Sequence, residues 1–259
     1  MKRKSPSTIS KILPPVIAIA IFLAVWQGVC MAGWVPSFML PSPVQVVQAL
    51  IEDFPLLASH AGVTLLETFI GMTIGIIVGF VLALVMDRYE LLRKALYPLV
   101  VISQTIPTIA IAPLLVLWFG YEMLPKIILI VLVVFFPVAV SLLDGYQSVD
   151  KDTVNLLRSM GAGDRQIFRY VKFPAALGQF FAGLKIAVSY AVVSAVIAEW
   201  LGGFNGLGVY MTRVKKAYSF DKMFAVIFLI SALSLILMGI VKILQKKFMP
   251  WENLNKKSK

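Results

Sequence analysis

Six apolar runs divide the chain, and no other feature restricts its fold as much. They cover about 14–33, 61–86, 99–119, 127–143, 180–201 and 223–244. A helix rising ~1.5 Å per residue needs roughly 20 residues to cross a hydrocarbon core ~30 Å thick. Backbone in lipid must satisfy its own hydrogen bonds, so runs of this length are expected to cross as helices. The fold class predicted is therefore all-α: a polytopic membrane protein with six transmembrane helices. Composition agrees, with 59% hydrophobic and 14% charged residues, where soluble domains hold about 45–50% and about 25%. Six spans with their loops use the 259 residues, so a single transmembrane domain over 1–259 is expected, without an appended ATPase or soluble catalytic domain.

The formal charge of +11 is a statement about orientation. Basic residues stand at the chain ends and between apolar runs, with no basic face interleaved with aromatics, so no nucleic-acid partner is expected. Of the 24 Lys and Arg, only Lys126, Arg213, Lys215, Lys216 and Lys222 fall on one side of the six-span topology, leaving 24 − 5 = 19 on the other. Basic residues accumulate on the cytoplasmic side, which predicts that both termini are cytoplasmic. The first run follows Lys2, Arg3, Lys4 and Lys11 as a secretory signal does, but it is about 20 residues long where a signal core has about 7–15. A permanent first span is expected. A lone cysteine, Cys30, leaves no intramolecular disulfide or cysteine metal cluster.

The loops carry local signals. Ser42 and Pro43 suit the cap and first position of an interfacial helix over 44–54, with apolar residues at Val44, Val47, Ala49, Leu50 and Ile51. The segment 150–174 is the most informative. Asp150 and Asp152 at its start and Arg158 further on predict a helix of about two turns. Gly161 then stops it, Asp164 caps a second short helix presenting Ile167, Phe168 and Val171, and Pro174 ends that helix. A helix–glycine–helix knuckle between two spans projects a compact handle. An amphipathic linker lying on lipid headgroups is the alternative.

Here the sequence strongly resembles the cytoplasmic coupling loop of binding-protein-dependent ABC importer permeases. That signature reads Glu-Ala-Ala, a glycine four residues on, then an apolar-Pro pair. Asn155, Leu156 and Leu157 stand at the Glu-Ala-Ala positions, Gly161 at the glycine and Phe173-Pro174 at the pair. The resemblance extends over most of the chain and narrows to the nitrate/sulfonate/taurine subgroup: Leu40-Pro41-Ser42-Pro43 is similar to its outer loop, the run 107–114 with Trp118-Phe119-Gly120 to its third span, and Glu199 with Gly206-Leu207-Gly208 to the end of its fifth. It implies the type I ABC importer permease architecture in a bacterial plasma membrane. Implied partners are a second copy, two ATPase subunits and an extracytoplasmic solute-binding protein, with lipid around the spans. By the same resemblance Asp152, Asn155, Leu156, Leu157, Met160, Gly161, Ala162, Asp164, Ile167, Phe168 and Pro174 would meet the ATPase. The runs 199–203, 208–211 and 220–225 are most similar to permeases of thiamine-precursor pyrimidines, with alkanesulfonate/taurine and riboflavin as the alternative cargoes.

The remaining motifs point away from chemistry on this chain. A phosphate-cradling loop needs Gly-x-x-x-x-Gly-Lys-Ser/Thr, and neither 161–164 nor 202–208 supplies the Lys-Ser/Thr pair. No cofactor is expected here, and ATP with Mg²⁺ belongs on the partner ATPase. A lone histidine, His60, defeats His-based metal sites and Ser-His triads, so no metal and no catalytic residue is expected. Lys185 and Ser189, four apart, are the formal remnant of an intramembrane enzyme; a snorkelling lysine is the simpler reading. Glu67, Gln104 and Glu199 are polar groups within or beside spans, where an ionised acid costs roughly 2.5–3.5 kcal/mol. With Thr108, on the helical face expected to continue from Gln104, they are the candidate substrate path, with Gly202 to Gly208 as an outer gate. Gly71, Gly75 and Gly79 form a small-residue stripe serving either intrachain packing or a dimer contact.

Overall fold

The computed structural model describes residues 8–36 and 38–251, with side chains from Leu13 onward. Lys2, Arg3 and Lys4 and the tail lysines Lys256, Lys257 and Lys259, which contribute to the charge count, lie outside the described residues. Among the described residues the regular structure is helical: α1 (Thr8–Met31), α2 (Pro43–Glu52), α3 (Phe54–Arg88), α4 (Glu90–Thr105), α5 (Thr108–Phe119), α6 (Met123–Gln147), α7 (Lys151–Ser159), α8 (Asp164–Ile167), a π-helical turn (Phe168–Lys172), α9 (Phe173–Leu201), α10 (Leu207–Lys216) and α11 (Phe220–Phe248). Two compact units are formed, one from Met1–Ala58 with Met211–Leu229, the other from Ser59–Tyr210 with Ile230–Lys259.

The first unit is organised on Trp26. Its indole Nε1 donates to Pro41 O at 3.1 Å, and its ring lies 5.9 Å from both Phe224 and Phe228. Val46, Ala49 and Ala225 are buried beside it. α2 starts as expected: Pro43 opens the helix, Ser42 Oγ accepts the N–H of Gln45, and the Gln45 side chain accepts the N–H of Ser42. Asp53, just after α2, pairs with Lys222 at 2.8 Å.

In the second unit, α3, α6 and α9 pack through small residues. A Cβ on Gly71 would stand 2.7 Å from Ile130, one on Gly75 2.7 Å from Val134, and one on Gly79 3.0 Å from Val138. The glycine stripe therefore serves intrachain packing: three glycines one turn apart give α6 a flat wall to lean on. α6 and α9 approach equally closely, with Gly145 against Ala176 and Gly183 against Ser141 and the Pro137 carbonyl. Ala187, Ala191 and Ala195 of α9 are buried in the core that α6 shares.

The same contacts fix chain direction. The pairs 71–130, 75–134 and 79–138 rise together, so α3 and α6 run the same way, whereas 145–176 and 141–183 show that α9 runs against α6. For α6 to repeat the direction of α3, the segment between them must return the chain to the end where α3 began. α4 and α5 are bent 95° to each other, and they form one broken crossing rather than a re-entrant loop. Pro107 is the reason. It has no N–H to continue the ladder and holds Ile106 extended (φ −81°, ψ 121°). The span expected over 99–119 is thus two helices bent at Pro107. Gln104 ends up on α4 and Thr108 on α5, on opposite sides of the bend, so the single helical face expected to carry both does not exist.

A second correction concerns Pro174. It does not end a helix, because helical backbone continues from Asp164 to Leu201. The π-turn at Phe168–Lys172 widens the coil just before the proline and takes up its missing donor, leaving Pro174 in the first turn of α9, where an N–H is dispensable.

Candidate functional site

Two clusters stand at opposite ends of the second unit. At one end α7 and α8 form the handle. Asp150 caps α7, its carboxylate accepting the N–H of Asp152 at 3.2 Å. α7 closes on Gly161, whose φ of +86° lets the N–H of Ala162 reach Leu157 O and its own N–H reach Arg158 O, both at 2.9 Å. The cap of α8 is Gly163 rather than Asp164. Asp164 is free to do something else: it accepts from Arg88 at the end of α3 and from Arg158 of α7. Lys172 Nζ lies 2.8 Å from both oxygens of Asp87. Exposed ion pairs contribute little singly, but these three tie both halves of the handle to the end of α3.

The candidate coupling residues divide by burial. Ile167 is 3% exposed, and Phe168 packs 5.3 Å from Tyr146 and 6.2 Å from Phe173; both face their own chain, where the sequence suggested a presented face. Leu157, Ala162 and Pro174 are half-buried, while Asp152, Asn155, Gly161 and Asp164 are exposed. Leu156 and Met160 stand 62% and 74% exposed, one turn apart, on α7 and on the residue that closes it. The result is a knob with apolar tips, seated by an apolar root.

At the other end, polar side chains are buried where the loop 202–208 meets α3, α6 and α9. Glu67 and Glu199 are each 1% exposed, Thr64 is fully buried, and His60 and Lys126 are 4% exposed. Three successive N–H groups at the start of α10 find acceptors on other helices: Gly206 on His60 Nδ1 at 3.0 Å, Leu207 on Thr64 Oγ1 at 2.9 Å and Gly208 on Glu199 Oε2 at 2.7 Å. These are the orphan donors of a helix start, satisfied by tertiary structure instead of by a local cap. Thr64 passes its own hydrogen to Glu199 Oε1 at 2.7 Å, and Lys126 Nζ donates to Glu67 Oε1 at 2.6 Å. The loop must be glycine here. Gly206 has φ +122°, and a Cβ on it would collide with the Glu199 carboxyl; one on Gly208 would collide with the Val196 carbonyl.

Of the four candidate path residues, the structure thus joins Glu67 and Glu199 and leaves Gln104 and Thr108 elsewhere. Gln104 is exposed and donates to Leu132 O of α6 at 3.2 Å. His60, Thr64 and Lys126 were not singled out as partners of the two acids from sequence. Lys126 carried a signal, being a lone cation at the edge of an apolar run, but its partner is 59 residues away. The Lys185–Ser189 pair is not a dyad: Lys185 Nζ bonds Gln245 Oε1 at 2.6 Å and Ser189 Oγ donates to Lys185 O.

Among the described residues, five long apolar helices and one broken crossing have the length and composition of membrane spans, and α7 and α8 stand out from them as a handle. Residues 71–250 match the family described as binding-protein-dependent transport system inner membrane component, and the chain belongs to that family. It is 38% identical to a probable ABC transporter permease protein of Haemophilus influenzae, over 88% of this chain and 93% of that one. With a formylaminopyrimidine transport permease protein of Halalkalibacterium halodurans it is 37% identical, over 92% and 96%. Among solved structures, an amino acid ABC transporter shares the fold with a TM-score of 0.61 at 20% identity, over 78% of this chain and 96% of the other. The protein is a multi-pass permease subunit of an ABC importer in the bacterial inner membrane. It is not itself an enzyme; ATP hydrolysis resides on a separate subunit, and importers of this family work with a solute-binding protein.

Proposed function

We propose that the chain forms, with a second copy of itself, the translocation path for a pyrimidine precursor of thiamine, and that residues 150–174 dock into the ATPase subunit. The handle carries this reading: Leu156 and Met160 are apolar tips on a helix locked by Gly161 and strapped to α3, a form suited to transmitting movement rather than lying on lipid. Both termini are cytoplasmic in this reading, because the handle end of the second unit carries Arg88, Arg93, Lys94, Lys151, Arg158, Arg165, Arg169 and Lys172. Closing of the ATPases on ATP draws the handles together and turns the cavity outward, which requires the two states to bind their ligands differently. ATP and Mg²⁺ stay on the partner.

Cargo is assigned from the similarity to the formylaminopyrimidine permease over nearly the whole chain. Gln104 and Thr108, flanking the broken crossing, are the proposed path groups, since a break in a span is tolerated where it lines a cavity. Glu67 and Glu199, enclosed in the closed state, meet the path only when the 202–208 gate opens. The test is reconstitution of the permease with its ATPase and binding protein in proteoliposomes. ATP-dependent uptake of labelled formylaminopyrimidine, unaffected by excess taurine or riboflavin, is expected. Uptake of taurine or riboflavin instead would replace the cargo and leave the permease assignment standing.

A further inference from the structure

At the handle end of the second unit, a cavity of about 290 Å³ opens between the first turns of α4, which supply Arg93, Lys94 and Tyr97, and the last turn of α6, which supplies Leu143, Asp144 and Gln147. Its polar groups are left open. Lys94 pairs with Glu90 of its own helix at 2.9 Å, and Glu90 also lies within the field of Arg93. Neither cation pairs with Asp144 across the cavity, and the side chains of Tyr97, Asp144 and Gln147 make no hydrogen bond among the described residues. Arg93 also borders a second hollow, where Asp87 and Lys172 hold each other. The cavity thus has a cationic wall on α4 and an acidic wall on α6 that do not meet.

One small ligand satisfies both walls only if it carries both signs. A phosphate diester accepts from the guanidinium and ammonium of α4, with the Tyr97 hydroxyl as a further donor. A primary ammonium on the same molecule donates to the Asp144 carboxylate and the Gln147 amide oxygen. Pro98, also on the cavity wall, adds an acceptor, because a residue without an N–H leaves the Lys94 carbonyl without its helical donor. A quaternary ammonium has no hydrogen to give, and a purely anionic headgroup brings no cation to Asp144. The surroundings also call for hydrocarbon on the ligand. Pro98 is exposed, Val101 is 39% exposed, and Ile102, one turn beyond Pro98, is 55% exposed. Ile102 stands two residues from Gln104, on the side of α4 away from the Gln104 bond to α6. Chains attached to the phosphate can follow this face into the bilayer. The volume is at the low end for small-molecule pockets, which run from roughly 300 Å³ upward, and so suits a headgroup rather than a whole lipid.

We propose that this cavity is a headgroup site for a zwitterionic phospholipid bearing a primary ammonium, that is, phosphatidylethanolamine. The phosphate sits on Arg93 and Lys94 and the ammonium on Asp144. Bound there, the lipid ties the start of α4 to the end of α6, close to the point where the chain turns back from α3. The site requires that the chain lie in a membrane and is independent of the cargo.

Native mass spectrometry of the purified permease–ATPase complex counts the lipids it retains when dioleoyl phosphatidylethanolamine, phosphatidylglycerol and phosphatidylcholine compete. The parent is expected to retain the ethanolamine lipid about fivefold over either of the others, the worth of one partly screened ion pair. Asp144→Asn should abolish this preference while keeping the glycerol lipid, and Arg93→Gln should weaken retention of all three. O-phosphoethanolamine, with the same charges and no chains, should not displace the bound lipid at equal concentration; displacement would mean a site for a soluble zwitterion and overturn the lipid assignment. Equal retention of the three lipids by the parent, the result if a second copy or the cargo fills the cavity, overturns the proposal. So does a preference that survives Asp144→Asn. Asp144 is exposed, so its variant should fold, and the competition on the parent decides even where Arg93→Gln fails to accumulate. Uptake is not read in this experiment, so its failure leaves the cargo reading as it stands.

Discussion

At the scale of single residues, glycine has two uses in this protein, and they respond differently to substitution. Gly161 needs its left-handed backbone but has open space around a would-be Cβ. Asparagine tolerates that conformation and valine does not. Gly161→Asn should therefore keep most co-purification with the ATPase subunit, whereas Gly161→Val should lose it while still inserting in the membrane; equal retention by both would show that the turn does not set the handle. Gly206 needs both its conformation and its emptiness. Gly206→Ala would drive a methyl into the Glu199 carboxyl and cost roughly 1–3 kcal/mol from overpacking alone, so a lower thermal midpoint and severe loss of uptake are expected. Gly62→Ala, with nothing within 4 Å, is the matched control and should behave like the parent. The glycine-rich run 202–208 was legible in the sequence as a turn or gate. What it closes against was legible only in Glu199, because its other two acceptors, His60 and Thr64, are more than 140 positions away along the chain.

At the scale of elements, helices were readable and their junctions less so. Hydropathy averages over a window, and Leu99 to Phe119 is apolar on average, so a run interrupted by proline looks like one span; the backbone at Ile106 records the 95° bend. Pro174 misled in the opposite sense, since the π-turn that accommodates it is invisible in composition. The α3–α6 seam allows a direct test. Gly75→Ala should destabilise by about 1–3 kcal/mol, as its Cβ would lie 2.7 Å from Val134, and Val134→Ala should recover part of that loss in the double variant. Thermal denaturation of the two single variants and the double measures the coupling; strict additivity would mean that the helices do not meet through this pair.

At the scale of the whole molecule, the handle and the buried acid cluster occupy opposite ends of the second unit, which makes its topology testable at two exposed positions. In a Cys30→Ala background, Asn205→Cys should react with a membrane-impermeant thiol reagent added to cells whose outer membrane it can pass or that lack one. Ser159→Cys should react only after the inner membrane is opened. The reverse pattern would invert the protein, and labelling of both from outside would break the six-crossing arrangement.

The sequence by itself determined the class of the molecule, because crossing a membrane is a local requirement: each run must satisfy its own backbone and present about 20 apolar residues, whatever its neighbours do. It determined the handle for the same reason, since Asp150, Gly161 and the residues between them form a self-contained cap, helix and stop. The tertiary structure alone decided that the glycine stripe faces α6, that Ile167 and Phe168 turn inward, and that Glu67 and Glu199 are neighbours. A buried charge gives no periodic signal of its own; its meaning lies in its partners, and Glu67 finds Lys126 only once α3 and α6 run side by side.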